Sequence, residues 1–317
     1  MNKILGMALG LLMAGSSLAQ TYPSKPVRMV APYAPGGSSS AAAMAVAVKY
    51  QELTGQALVI DYKPGAASNI GSDAVAKASP DGYTVLMGTS SLAINPSLYR
   101  TMPFNALKDL APVTMLFRAP NVLAVNPSLP IHSVKELIDY ARANPGKLNY
   151  ASSGNGATNH MAMELLKFMA KVDIVHVPFK GGGETLPALI GNQVQVMFSP
   201  ASTLAGSAAS GRIRLLGVSG TTRDEVLNLP TIASAGLPGF ESVVWFGLFA
   251  PAGTPVAVIN KLNADINRAL KDKQVLEVIN KAGQEAVGGT PEEMRRVLVN
   301  DYERWAAVIK ATGIKAD

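Results

Sequence analysis

The sequence predicts an α/β protein of two domains, each a mixed, mostly parallel sheet with helices on both faces. Three observations lead there. Short apolar runs alternate with helix-length amphipathic runs from Val27 to Val218, the order of βαβ units. The chain has 317 residues, more than one ordinary domain of roughly 100–150 residues. No Pro/Ser-rich linker divides it, so the two domains are expected to interleave.

The elements follow in order. Residues 1–19 read as a cleaved export signal, with Lys3 as the positive start, an apolar stretch Ile4–Ala14, and Ser17 and Ala19 as the small residues before the cut. That stretch falls short of the roughly 20 residues a membrane span needs, and no cysteine follows it for a lipid anchor. The expectation is an exported, soluble protein, periplasmic if the source is a Gram-negative bacterium. Pro26–Tyr33, Ala57–Tyr62 and Tyr83–Gly88 read as strands, with helices at 41–53 and 70–78 between them. Val122–Asn126, Leu148–Ala151, Asp173–Val177, Gln195–Phe198 and Arg214–Val218 read as a second set of strands. Ser133 and Glu136 suggest a capping box for a helix ending near Ala143, and further helices are expected at 159–170 and 184–190. Towards the C-terminus, Thr254-Pro255 reads as N-cap and first-turn proline of one helix. Thr290 and Glu293 read as the capping box of another, stopped by Gly313. The chain is expected to cross between domains near Pro120–Val122 and to return near Val244–Phe249. Domain 1 is then 20–121 plus 249–317, and domain 2 is 122–248.

Composition narrows the chemistry. Hydrophobic residues make up 48%, enough for two cores, which argues against disorder. The net charge is +6, yet no run of five basic residues occurs, so the surface is expected to steer anions rather than bind nucleic acid. With no cysteine and only His132, His160 and His176, no metal site, thiol chemistry or disulfide is expected. Gly181-Gly182-Gly183 lacks the Lys-Ser/Thr of a phosphate loop, and Gly154-Asn155-Gly156 is no dinucleotide fingerprint, so no cofactor is expected. Ser219 fails the pattern of a nucleophile elbow, and no catalytic residue is assigned. His132 and His176 read as structural, and Trp245, Phe246 and Phe249 as core or hinge.

Two turns carry the functional argument: Ala34-Pro-Gly-Gly-Ser-Ser-Ser40 and Ala151-Ser-Ser-Gly-Asn-Gly-Ala-Thr158. Each follows a strand and opens a helix, where unsatisfied N–H groups and the helix dipole favour an anion. Each could equally be a packing and N-capping turn. Two of them, one per domain at sheet edges, favour binding, and a carboxylate suits such sites without an arginine. His160 falls on the first turn of the second helix, as a ligand contact or a capping residue.

The chain resembles the Bug-type solute receptors of tripartite tricarboxylate transporters. The carrying segments include Tyr22–Arg28, Ala31–Gly37, Pro80–Tyr83, Asn95–Leu98, Pro145–Gly156, His176–Gly181, Gln193–Phe198, Trp245–Leu248, Ala250–Pro255 and Thr290–Glu293. The resemblance implies a type II periplasmic binding protein of the Venus-flytrap kind, without catalytic activity. It implies capture of a small organic carboxylate in the interdomain cleft and delivery to a membrane permease. Carried over, the ligand-binding candidates are Tyr33, Gly36, Gly37, Ser38, Ser39, Ser153, Gly154, Ala157 and Thr158, beside Ala34, Ser40, Asn155 and His160 from the reading of the two turns. Thr89 and Ser90 join them, Phe179 walls the pocket, and Ser199 follows the strand ending at Phe198. Family members commonly carry an acid where this chain has Ser40 and often another where it has Ser199; arginine, common near Met44, is missing. An acid at the Ser40 position suits an amino acid's ammonium group, and its absence points to a mono- or dicarboxylate without one, with an apolar or aromatic body. A sensory receptor for a membrane kinase and an exported serine hydrolase are the alternatives. Turnover separates the hydrolase, because a receptor returns its ligand intact. A monomer is expected.

Overall fold

The computed structural model describes residues 22–33, 35–36, 38–179 and 182–315. The expected export signal and the site candidates Ala34 and Gly37 lie outside the described residues. The first unit comprises β1 (Val27–Ala31), α1 (Ser38–Thr54), β2 (Leu58–Tyr62), α2 (Asn69–Ala76) and β3 (Thr84–Thr89). Its strands pair in parallel in the order β2-β1-β3. Helix α1 buries Ala42, Ala43, Val46, Ala47 and Tyr50, the stripe that a helix lays on a sheet. It starts at Ser38 rather than Ala41, so the three serines form its first turn, after Gly36 at φ 97°.

Helices α3 (Ser91–Leu98) and α4 (Ala106–Asp109) lead into β4 (Leu110–Val125), a strand of 16 residues. Next come α5 (Val134–Ala143), β5 (Asn149–Ser152), α6 (Thr158–Ala170), β6 (Val175–Pro178), α7 (Gly182–Ile190), β7 (Val196–Pro200), α8 (Ala201–Ala209) and β8 (Arg214–Val218). The chain returns through β9 (Val243–Pro251), α9 (Val256–Leu270), α10 (Lys273–Lys281), β10 (Glu285–Gly288) and α11 (Pro291–Thr312).

The sheets meet on β4. The first sheet runs β2-β1-β3-β9-β4 with β10 also on β4; the second runs β4-β7-β5-β6 with β8 also on β4. Pro120 still pairs with Val243 in the first sheet, and Asn121 already pairs with Pro200 in the second. Every partner of β4 is antiparallel to it, whereas the strands outside β4 and β9 pair in parallel, so each sheet is mixed. The sequence suggests only the last residues of β4 as strand. Its first half carries Pro112, beside a register shift, and Pro120, the last residue of its ladder with β9, places where a missing N–H is tolerated. Strand β9 pairs within the first sheet from Val243 onward.

The caps are partly as expected. Thr290 and Glu293 exchange the two bonds of a capping box, and Gly313 ends α11 at φ 69°. At α5, Ser133 Oγ accepts from the Glu136 N–H, but the Glu136 carboxylate takes the His132 N–H, one residue too early to close the box. Thr254 is not a cap: its hydroxyl donates to the Pro251 carbonyl, and Pro255 precedes α9. Among the described residues no helix is long and apolar enough to cross a membrane.

The largest apolar core joins the two halves. Met294, Leu298 and Trp305 of α11 belong to the same cluster as Leu86 of the first sheet and Tyr150 of the second. A polar tie pins α11 to the strand that returns: Trp245 Nε1 donates to Asp301 Oδ2 (2.6 Å), Arg304 Nη2 to Asp301 Oδ1 (2.6 Å), and Arg304 Nη1 to the Glu241 carbonyl (2.6 Å). Burial pushes the Asp301 carboxyl up, opposed by the Arg304 charge and the two hydrogen bonds. Asp301→Ala orphans the buried indole N–H and a guanidinium, and is expected to cost about 2–4 kcal/mol in urea unfolding. A loss below about 0.5 kcal/mol would remove the tie from the account, since surface changes alone stay within that range.

Candidate functional site

A cavity of about 460 Å³ lies where the halves meet. The first half contributes Ser39 from the first turn of α1, and Val244 and Phe246 from β9. The second contributes Ser153, Thr158 and Asn159 from the β5–α6 turn, Thr185 from α7, and Ser199 at the end of β7. Strand alternation decides who faces it: Val244 and Phe246 do, whereas Val243 and Trp245 line a separate hollow beside Asp301. Its described lining carries hydroxyls, amides and apolar groups, and no ionisable side chain.

The first loop is braced by Tyr33. Its hydroxyl donates to the Met87 sulfur (2.9 Å), and its ring meets Phe246 edge-on at 6.0 Å. Burial pushes the Tyr33 phenol up, opposed by a hydrogen bond with the Ser39 side chain. Ser40 is buried and its Oγ has no partner among the described residues. Gly36 is exposed, in a positive-φ conformation that other residues resist. Ser38 opens the helix.

The second loop is organised by side chains beneath it. Asn159 Oδ1 accepts from the Ser153 N–H, the Ser153 hydroxyl and the His160 N–H. Ser152 Oγ accepts from the Gly154 N–H, His160 Nδ1 from the Gly156 N–H, and the Gly154 carbonyl from the Ala157 N–H. Many of the loop N–H groups expected to meet an anion therefore already have internal partners. The Thr158 and Asn159 N–H groups, in the first turn of α6, have no helical carbonyl to bond. With the hydroxyl of Thr158, they are what this loop can offer; the Ser153 hydroxyl is already given to Asn159 Oδ1.

Not every candidate reaches the cavity. His160, 3% exposed, is turned inward and serves the loop instead. Ser90 is buried behind β3, its N–H bonded to the Trp245 carbonyl, while Thr89 Oγ1 engages Ser91 at the start of α3. Phe179 backs the second loop, its N–H bonded to the Ser152 carbonyl, and Asn155 is exposed at the tip. Conversely, Asn121, Asn159, Thr203 and Phe246 line the cavity without having been expected to. Alternation along β9 was a usable signal for Phe246. For Asn121 there was none, because its stretch does not read as a strand.

Behind the loop, His160 and His176 stack at 4.1 Å, with Tyr150 at 4.8 Å from His176. His176 Nε2 lies 2.6 Å from Ser152 Oγ. This Ser–His contact is no nucleophile: Ser152 is fully buried, outside the cavity, and its hydroxyl is tied to the Gly154 carbonyl.

Two α/β units joined by long strands, with two helix N-termini at a shared cavity, define a periplasmic binding protein, a solute receptor rather than an enzyme. Residues 42–314 match the tripartite tricarboxylate transporter family receptor, and the chain belongs to that family. Protein BugT of Bordetella pertussis is 36% identical over 300 residues, covering 94% of this chain and 92% of BugT. The structure of R. palustris Rpa4515 with adipate is similar at TM-score 0.78 and 37% identity, covering 93% of this chain and 99% of that one. MatC from Rhodopseudomonas palustris with bound malate is similar at TM-score 0.74 and 30% identity, covering 91% and 100%.

Burial, the neighbouring His176 and the Lys167 charge lower the His160 pKa to about 3. Protonation would also turn the acceptor of the Gly156 N–H into a donor. The folded pKa lies below the unfolded one, so this contribution to stability is complete above about pH 6.5 and is lost as pH falls. The expected slope from this residue is about 1.4 kcal/mol per pH unit between pH 6 and 4. Urea unfolding of His160→Gln over that range should show a correspondingly flatter profile; an unchanged slope would contradict a neutral, buried His160.

Proposed function

We propose that this receptor captures a small carboxylate without an ammonium group, mono- or dicarboxylic with an apolar or aromatic body. It then passes the ligand to a permease of the tripartite tricarboxylate transporter type. The observation that carries this is a lining that, among the described residues, bears no ionisable side chain and lies between two helix N-termini. A carboxylate gains there from the dipoles of α1 and α6 and from the hydroxyls of Ser39 and Thr158. An ammonium would be stripped of water with no carboxylate to pair with. Relatives bound to adipate and malate support the carboxylate class. In this reading the candidates at the two loops close on the ligand as the domains hinge about β4 and β9. The domain division expected from the sequence, export by residues 1–19 and a monomeric state belong to the same proposal. So does delivery to a permease rather than to a membrane kinase.

A thermal-shift series with adipate, succinate, malate, citrate, benzoate, nicotinate, aspartate and glutamate tests it. A ligand at about 100 times its Kd stabilises by about 2.7 kcal/mol, which shifts Tm by several degrees. The expected result is a shift with a non-amino carboxylate that is recovered intact. Ser39→Ala and Thr158→Val should each weaken it about tenfold, the worth of a hydrogen bond to a charged group. Ser40→Asp should weaken it by charge repulsion. A response to aspartate or glutamate alone, or turnover of the ligand, would defeat the proposal.

A further inference from the structure

Asn121 stands where β4 leaves one sheet for the other. Its backbone is fixed on both sides by one residue. The Asn121 N–H donates to Ser219 Oγ (2.8 Å), and the Ser219 N–H donates to the Asn121 carbonyl (2.8 Å). Ser219 is held in turn, its hydroxyl donating to the Ser242 carbonyl (2.6 Å) and its own carbonyl accepting from the Ser242 N–H (2.9 Å). The side chain lines the cavity, is only 4% exposed, and its Nδ2 has no hydrogen-bond partner among the described residues. A buried amide donor without a partner is costly and rare in folded proteins. The Asn121 side chain borders a space large enough for a small acid, and a turn of the amide about χ2 brings the enclosed Nδ2 to the face now held by Oδ1.

We infer that Asn121 is a specificity-determining ligand contact that donates to a second oxygen function on the ligand. This rests on the carboxylate reading proposed above and sharpens it. The loops at α1 and α6 hold one carboxylate, and the amide at the crossing point meets a distal carboxylate, hydroxyl or keto oxygen. The preferred class is therefore an oxygenated acid rather than a plain alkanoate or unsubstituted benzoate. Because Asn121 belongs to the strand shared by both sheets, it can make this contact before the loops close.

The test compares matched pairs by calorimetric titration: adipate with hexanoate, succinate with butyrate, malate with 2-hydroxybutyrate. Wild type, Asn121→Ala and Asn121→Asp are used. Wild-type protein should prefer the oxygenated member of at least one pair by tenfold or more. Asn121→Ala should lose at least tenfold on that member and no more than twofold on its partner. Its unliganded Tm should hold or rise, since no internal bond is removed. Asn121→Asp, nearly the same shape, should repel a distal carboxylate and weaken a dicarboxylate further. Equal losses on both members of a pair, no wild-type preference, or a drop of more than about 5 °C in the unliganded Tm (a large effect for one substitution) would overturn the inference while leaving the carboxylate reading intact. Failure of wild-type protein to bind any of these acids, or any acid of the thermal-shift series, would overturn both.

Discussion

One strand governs this molecule. β4 is long enough to be a member of two sheets, and it changes allegiance between Pro120 and Asn121. Each half must therefore grow outward from a common line, with its parallel βαβ strands on the far side and antiparallel partners near the crossing. β9 shares the first part of that line, so two adjacent extended segments join the halves. Extended segments bend with small changes in φ and ψ, whereas the packed units beside them do not. Helix α11, bound to Trp245 through Asp301, restrains the same region from behind.

The cavity inherits its character from this layout. Helices α1 and α6 both begin at the ends of parallel strands, where open α/β sheets gather ligands. The two N-termini are prepared differently. At α1 the serines sit within the helix itself, and Ser40 Oγ is left without a partner. At α6 an under-layer of Asn159, Ser152 and His160 absorbs the loop's donors and fixes its shape, and the stacked His160 and His176 fill the space behind. The second loop is thus held by its own hydrogen bonds, and a loop ordered before binding loses less entropy on it.

Much of this was legible in the residues. The two Gly/Ser turns announced themselves because strand, small-residue turn and helix follow one another in each, and Thr290 with Glu293 announced the start of α11. Three things hid from the sequence for physical reasons. Prolines at 112 and 120 masked the first half of β4, since their tolerance depends on where the ladder ends, a tertiary fact. His160 looked available by its position on the first turn of α6, but its direction depends on the Gly156 N–H it serves. Asn159 looked like a mere helix start, yet its side chain orders the loop.

The central claim is that a cleft between two helix N-termini, with no ionisable side chain among its described lining residues, selects a carboxylate that brings no positive charge. Native mass spectrometry of protein purified without refolding, with the released small molecule identified, tests it most directly. The account predicts one intact carboxylic acid per chain, free of amine groups. An amino acid, a sugar or a cation recovered at one per chain would contradict it.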